Sequence, residues 1–457
     1  MIPDNDTIVA PATALGGALA VLRLAGADAI AVADRLFRGR QPLAETAAGR
    51  ACYGTIRDFT APEAPLVDEV VATLFRAPHS YTGEDTVEFS CHGSSYVVSE
   101  VLRLAMAAGA RMAEPGEFTR RAYLNGKLDL AQAEAVADLI AASSRTAHAL
   151  ATNQLRGGYS TALDGLREEL VQLASLLELE LDFAEEEVAF ADRDTLLATI
   201  DRIDAETARL CRSFALGNAL KEGVAVAIVG APNVGKSTLL NRLLEEERAL
   251  VSEIAGTTRD VIEERLTIDG VLFRILDTAG IRSTDDRLER MGIERTLQSI
   301  ERAQIVVRMV DAATLAADGT LPPLDVTLRP EQRLLTVINK IDTLPQRPAA
   351  SADRLLLSAR NGEGVEELRK ALRKAVPTET WEEGSAIVSS ARHYEALLTA
   401  RAALSRAREG IRSELPTDLL SEEIRSVTSS LASITGRGII LPDELLGHIF
   451  SRFCIGK

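Results

Sequence analysis

Hydrophobic and polar positions alternate in three different rhythms along this chain, and each rhythm predicts a different kind of element. Over residues 1–122, short runs of strand type (ALAVLRL at 18–24, DEVVATLF at 68–75, DTVEFSC at 85–91) surround one helical stretch, SYVVSEVLRLAMAAGA at 95–110. That mixture predicts an α+β domain. The uncharged stretch Thr7–Leu22 is broken by Pro11 and Gly16-Gly17, so it reads as strand, turn, strand and not as a membrane span. Over 123–220 the apolar residues recur every three to four positions, in LDLAQAEAVADLIAASS (128–144) and LREELVQLASLLELELDF (166–183). These predict helices, interrupted by the charged stretch AEEEVAFADRD (184–194), which reads as a solvated loop or helix end.

Over 221–380 the rhythm changes again. Continuous apolar runs (VAVAIVG, LFRILD, IVVRMVD, LLTVIN, RLLLSA) alternate with helical segments. Strands without polar alternation are buried on both faces, so a mostly parallel, doubly wound sheet is expected. TLPQRPAASAD (343–353) reads as a surface connection within it. Residues 381–457 return to helix, in SSARHYEALLTARAALSRAREG and LLSEEIRSVTSSLASITG. The expected architecture is a multidomain α/β chain. It has an α+β front domain (1–122) and a helical domain in two parts (123–220 and 381–457), with a P-loop α/β domain (221–380) inserted between those parts.

Composition narrows the class. Apolar residues make up 46% of the 457 and charged residues 26%, as in an ordinary globular protein. The formal net charge of −16 argues against a broad nucleic-acid-coating surface, although it leaves room for a local basic patch or a basic partner. The four cysteines, Cys52, Cys91, Cys211 and Cys454, form no C-x-x-C pair, so a reducing cytoplasm is the expected home. Cys91 and His92 are adjacent on a strand and should face opposite ways, which makes them a poor metal pair. The N-terminus carries acids where a signal peptide has a basic region.

The chemistry concentrates in the third zone. Gly230–Ser237, GAPNVGKS, matches G-x-x-x-x-G-K-[ST] after an apolar strand and before a helix. Backbone N–H groups of such a loop curl round phosphate oxygens, Lys236 neutralises the β/γ-phosphates, and the Ser237 hydroxyl ligates Mg²⁺. DTAG (Asp277–Gly280) ends a second strand, with Asp277 on the magnesium side and the Gly280 N–H toward the γ-phosphate. NKID (Asn339–Asp342) ends a third. The Asp342 carboxylate can accept from guanine's ring N–H and amino group, a pair that adenine lacks. Ser358-Ala359-Arg360 suits the loop that offers an N–H to the guanine oxygen, and Thr257 or Thr258 completes the Mg²⁺ shell. The ordered set predicts GTP binding. The position after the Gly of DTAG is Ile281, which cannot orient water as a Gln would; Asp285, Asp286 and Glu289 are the nearby candidates.

The stretches GAPNVGKSTLLN, VSEIAGTTRD, DTAGIRSTDDRLERMGIER, NKID, NDTIVAPAT, LRLAG, YTGED, PGEFTRRAYLNGKLDLAQAEA and FCIGK together resemble the MnmE (TrmE) family of tRNA-modification GTPases. The likeness covers nearly the whole chain. It implies Glu289 as the water-orienting catalytic residue, and K⁺ held by Asn233, Ser252, Ile254 and Thr257, with Mg²⁺ held by Ser237 and Thr258. The nucleotide site it implies runs over Asn233, Val234, Gly235, Lys236, Ser237 and Thr238, then Ser252, Ile254, Ala255, Gly256, Thr257 and Thr258. It continues through Asp277, Thr278, Ala279 and Gly280, Asn339, Lys340 and Asp342, and Ser358, Ala359 and Arg360.

The resemblance also implies a tetrahydrofolate derivative (5-formyl- or 5,10-methylene-) at Arg23, Glu84, Lys127 and Lys457. Taken without it, Arg23 reads as equally an exposed strand edge, Glu84 as a turn acid and Lys127 as a surface cation. The implied assembly is a homodimer joined by an FAD-containing partner, MnmG, in a heterotetramer that modifies the 5-position of the wobble uridine of tRNA. The tail Cys454-Ile455-Gly456-Lys457 lacks the aliphatic residues of a prenylation box and is expected to reach into the folate site, with Cys454 a further candidate there. Two rival readings stand: a ribosome-assembly GTPase, which calls for a basic RNA-binding appendage, and a signalling switch without RNA chemistry. The segment GRGIILPDELLG (436–447) carries no assigned role.

Overall fold

The computed structural model describes residues 6–182, 192–248, 264–276, 297–315, 320–323, 328–344, 353–376, 385–451 and 453–456. Its front portion is a seven-stranded sheet built from β1 (Ile8–Pro11), β2 (Leu19–Ala25), β3 (Phe37–Gly39), β4 (Ala51–Arg57), β5 (Leu66–Phe75), β6 (Thr86–His92) and β7 (Arg111–Met112). The spatial order is β3-β4-β5-β6-β2-β1-β7. All neighbours are antiparallel except β1 and β7. The uncharged stretch near the N-terminus forms the expected hairpin-like pair, with Ile8 opposite Ala25 and Pro11 opposite Leu22.

Alternation sets the two faces of this sheet. Val70, Ala72 and Leu74 of β5 are buried, whereas Glu69 and Val71 are exposed. The buried face meets α1 (Ala29–Leu36) and α2 (Ser95–Ala107), whose Val98, Val101, Leu104 and Ala105 recur at helical spacing and join the same core. Each such leucine, fully withdrawn from water, contributes about 2 kcal/mol. As expected, Cys91 is buried and its neighbour His92 is exposed. His92 pairs instead with Asp68 at 2.7 Å.

Helices α3 (Glu117–Leu124), α4 (Leu130–Ala141), α5 (Arg145–Leu155), α6 (Gly158–Asp182) and α7 (Arg193–Glu222) follow. The stretch 183–191, most of the charged interruption, lies outside the described residues. A six-stranded sheet comes next, made of β8 (Val224–Val229), β9 (Glu264–Ile268), β10 (Val271–Leu276), β11 (Ile305–Asp311), β12 (Arg333–Asn339) and β13 (Arg354–Leu356), with α8 (Lys236–Arg248) after β8 and α9 (Val365–Ala375) after β13. The order is β13-β12-β11-β8-β10-β9. Every pairing is parallel except β9 with β10. All six residues of β8 are buried, which is why its sequence shows no polar alternation. The chain closes with α10 (Ala391–Arg412), α11 (Thr417–Thr435) and α12 (Asp443–Phe450).

The fold divides into two compact units. One comprises residues 1–137, 154–192 and 409–457; the other comprises 138–153 and 193–408. The six-stranded sheet lies wholly in the second, so its chain is interposed within the first. In the first unit, the segment after α11 is fastened by Arg437, which pairs with Asp129 at 2.9 Å and also with Asp164. That gives the otherwise silent 436–447 stretch a structural anchor. Among the described residues, no helix is long and apolar enough to cross a membrane.

Candidate nucleotide and folate sites

The nucleotide site is assembled at the C-terminal ends of β8, β11 and β12, where an open parallel sheet places its ligands. β8 runs directly into the glycine-bearing loop, and α8 opens at Lys236. Asn233 adopts the left-handed region (φ 60°), and Gly235 does too (φ 104°). A side chain on Gly235 would collide with the Asn339 amide, so the close approach of the two loops requires glycine there. Val234 is buried and anchors the loop from below. Asn233 and Thr238 are exposed, and Ser237 sits second in α8.

Lys236 Nζ donates to the Gly230 carbonyl at 2.8 Å and to the Ala231 carbonyl at 3.0 Å, which curls the ammonium back over the loop. Burial pushes its pKa down from the ordinary lysine range. An anion beside it would oppose that shift by favouring the ammonium.

Asn339 is the connecting residue. It is 2% exposed; its Nδ2 donates to the Val234 carbonyl at 2.7 Å, and its Oδ1 accepts from the Ala359 N–H at 2.9 Å. One side chain therefore ties the phosphate loop to the Ser358-Ala359-Arg360 loop. Lys340 follows with φ 65°, and its Nζ pairs with Asp311 Oδ2 at 2.7 Å. Burial raises the Asp311 pKa, but the bonds from Lys340 and from the Ala313 N–H outweigh it, and the carboxyl lies below its ordinary range. Asp342 is exposed in the turn Ile341–Thr343. Ser358 is buried, with its N–H bonded to the Glu363 carbonyl at 2.9 Å, and the Arg360 carbonyl accepts from Arg242 at 2.7 Å.

Replacing Asn339 with alanine leaves the Val234 carbonyl and the Ala359 N–H unpaired. We expect a loss of about 2–4 kcal/mol in the stability of this unit, read by urea unfolding with guanine-nucleotide binding as the probe.

These residues fit a phosphate and a guanine base: a cradle that a methyl group would fill, a helix N-terminus, a curled ammonium and an exposed carboxylate. Ser252, Ile254, Ala255, Gly256, Thr257, Thr258, Asp277, Thr278, Ala279, Gly280, Asp285, Asp286 and Glu289 lie outside the described residues. So does Lys457.

In the other unit, three folate candidates gather round the loop between β5 and β6. Lys127 Nζ donates to the Pro78 carbonyl at 3.1 Å. Tyr81 of the same loop lies under Arg23, whose guanidinium carbon is 5.1 Å from that ring and 5.6 Å from the Phe118 ring. Glu84 is the last residue but one of the loop. Burial raises its pKa above the ordinary glutamate range, an effect only partly offset by Arg121, whose Nη1 lies 3.3 and 3.4 Å from its two oxygens.

Arg23 is not at a sheet edge. β2 has β1 on one side and β6 on the other, and Arg23 stands between Ala10 and Glu88, so the exposed-edge reading is replaced. Pattern alone missed this because the strand order, not the local sequence, decides it.

The tail reaches the same neighbourhood. Gly456 (φ 97°) packs so closely on the Pro11 carbonyl that a side chain would collide, and the Cys454 carbonyl faces the Gly116 N–H at 3.5 Å. Cys454 itself is exposed. The residues present fit an anionic ligand bearing N–H donors: the loop between β5 and β6 carries the carboxylate Glu84 and meets the cations Arg23, at Tyr81, and Lys127, at Pro78.

Sequence reasoning missed the ionic group behind Glu84. Arg121 bonds Asp6 at 2.6 Å and Glu117 at 3.1 Å, and Arg111 bonds the same two acids at 2.5 Å each. Glu117 and Arg121 stand four apart on α3, so that pair was open to detection; Asp6 was not.

A family model described as the MnmE helical domain matches residues 130–454. A second, described as the GTP-binding protein TrmE N-terminus, matches residues 7–127. The chain is 46% identical over 477 aligned positions to the tRNA modification GTPase MnmE of Christiangramia forsetii, covering 99% of both chains. It is 44% identical to that of Bacteroides fragilis, covering 99% of this chain and 100% of the relative.

The chain belongs to the MnmE family.

The MnmE resemblance seen in the sequence is thus shown over its full length. Among solved structures, a variant of Aquifex aeolicus Era bound to GDP.AlF4- aligns at 30% identity over 39% of this chain and 65% of that one, with a TM-score of 0.24. Membership rests on the full-length MnmE relatives.

Proposed function

We propose that this chain is a GTP hydrolase that acts in tRNA modification and needs K⁺ for fast turnover. The observation that carries the reading is the Asn339 bridge, which links the phosphate loop to the base loop in a chain alike end to end to tRNA modification GTPases. In this reading Lys236 and the N–H groups at the start of α8 hold the β- and γ-phosphates, and Asp342 selects guanine. Ser237 and Thr258 would hold Mg²⁺; Asn233, Ser252, Ile254 and Thr257 would hold K⁺; Glu289 would orient the attacking water. When bound, the two metal ions place positive charge where negative charge develops at the β/γ bridge.

The finer reading assigns the chemistry on tRNA to the 5-position of the wobble uridine, with an FAD-containing partner of the MnmG type completing a heterotetramer with a homodimer of this chain in the cytoplasm. A reduced folate, held there, would supply the one-carbon unit. Arg23, Lys127 and Lys457 offer cations for its carboxylates, and Glu84 accepts from its pterin N–H groups. Residues 1–122, completed by Lys127 and Lys457, hold that carrier and pair the protomers, 221–380 hydrolyse GTP, and the rest of 123–220 with 381–457 connects them. Hydrolysis drives a rearrangement of domains, not the carbon chemistry itself.

The test is GTP turnover by the full chain in KCl and in NaCl at equal ionic strength. We expect at least about a tenfold faster rate in KCl; equal rates would contradict the potassium assignment.

A further inference from the structure

Arg23 and Glu88 face one another directly across the β2–β6 ladder. Arg23 Nε donates to Glu88 Oε1 at 2.8 Å, with the side chains 14% and 24% exposed. That bond engages the guanidinium at its stem side only. Among the described residues, neither terminal nitrogen of Arg23 has a protein acceptor. The group is also confined by the Tyr81 and Phe118 rings, and Tyr81 is itself fixed by a 2.8 Å hydrogen bond with Thr119. A planar cation held at its Nε edge, with its terminal pair unused, presents two parallel N–H donors, the geometry that matches a carboxylate.

We infer that Glu88 is a positioning residue, which holds Arg23 so that its terminal nitrogens form a fork for the carboxylate of an anionic ligand. The inference rests on the reading above that this face takes a reduced folate. An ordinary surface ion pair would be a weak alternative source of order, since exposed pairs contribute little. Here the guanidinium is largely withdrawn from water, so the direction it points is set by its few neighbours. Glu88 acts only through Arg23 and needs no contact with the ligand.

The experiment titrates 5-formyltetrahydrofolate into the full-length protein by calorimetry, comparing wild type with Glu88→Ala, Glu88→Gln, Arg23→Ala and the double alanine variant. Thermal unfolding is recorded for each. Glu88→Ala should weaken binding about tenfold. Glu88→Gln keeps an acceptor for Nε and should stay within about threefold of wild type. In the Arg23→Ala background, removing Glu88 should change affinity by less than about twofold, because a residue that works through Arg23 has nothing left to position. Wild-type affinity in Glu88→Ala, or losses that multiply in the double variant, would overturn the inference. If Glu88→Ala unfolds, the glutamine variant decides, and a loss as large as that of Arg23→Ala overturns it. A wild-type protein that binds no folate removes the folate reading itself, and this inference with it.

Discussion

Lys236→Ala lowers the GTP turnover number by about 100- to 1,000-fold, the cost of deleting one preorganised charge at a developing anion. Lys236 opens α8 and already curls over its own loop, 2.8 Å from the Gly230 carbonyl. A γ-phosphate would replace those carbonyls as the partner of the ammonium. Burial holds the Lys236 pKa below the ordinary lysine range, and an anion beside it would oppose that shift by favouring the ammonium. Arginine at this position recovers little, because a planar fork does not fit a loop built round a compact ammonium. Turnover measured at saturating GTP checks this, and a loss below about tenfold would mean that the charge acts elsewhere.

Asp342→Asn has the second largest effect. Guanine offers two N–H groups on one edge, and a carboxylate accepts both. An asparagine offers one acceptor and one donor, so its NH₂ meets guanine's amino group donor to donor. Affinity for GTP should fall by at least about 100-fold. Xanthosine triphosphate carries a carbonyl where guanine has its amino group, and the variant should prefer it. Asp342 is exposed, in a turn whose entry is set by Lys340 and not by Asp342, so the fold should be unaffected. Competition between the two nucleotides checks the prediction, and unchanged preference for GTP would remove Asp342 from base recognition.

Much of the six-stranded sheet was legible because β8, β10 and β11 are buried on both faces over most of their length and therefore read as near-continuous apolar runs. β9 escaped detection: Glu264–Ile268 is the outermost strand, antiparallel to β10, and mixes Glu, Arg and Thr with two apolar residues. The nucleotide loop was readable since its motif is contiguous. The role of Asn339 as a bridge was not, because its partners lie about 105 and 20 residues away and only the folded sheet brings them together.

The front domain was less legible. Its strands alternate as expected, but the order β5-β6-β2-β1 that sets Arg23 against Glu88 is a long-range property. Local pattern gives each strand's two faces and says nothing of which strand lies beside which. The aromatic neighbours Tyr81 and Phe118 come from a loop and from α3, segments where no periodicity marks a site.

The claim on which the rest depends is that guanine-nucleotide hydrolysis in one unit is required for a modification made on tRNA. It is tested most directly by nucleoside analysis of total tRNA from cells whose only copy of this protein carries Lys236→Ala. The account predicts wobble uridines lacking their 5-substituent, as in cells without the protein. Fully modified wobble uridines, alongside a purified variant that no longer hydrolyses GTP, would contradict it.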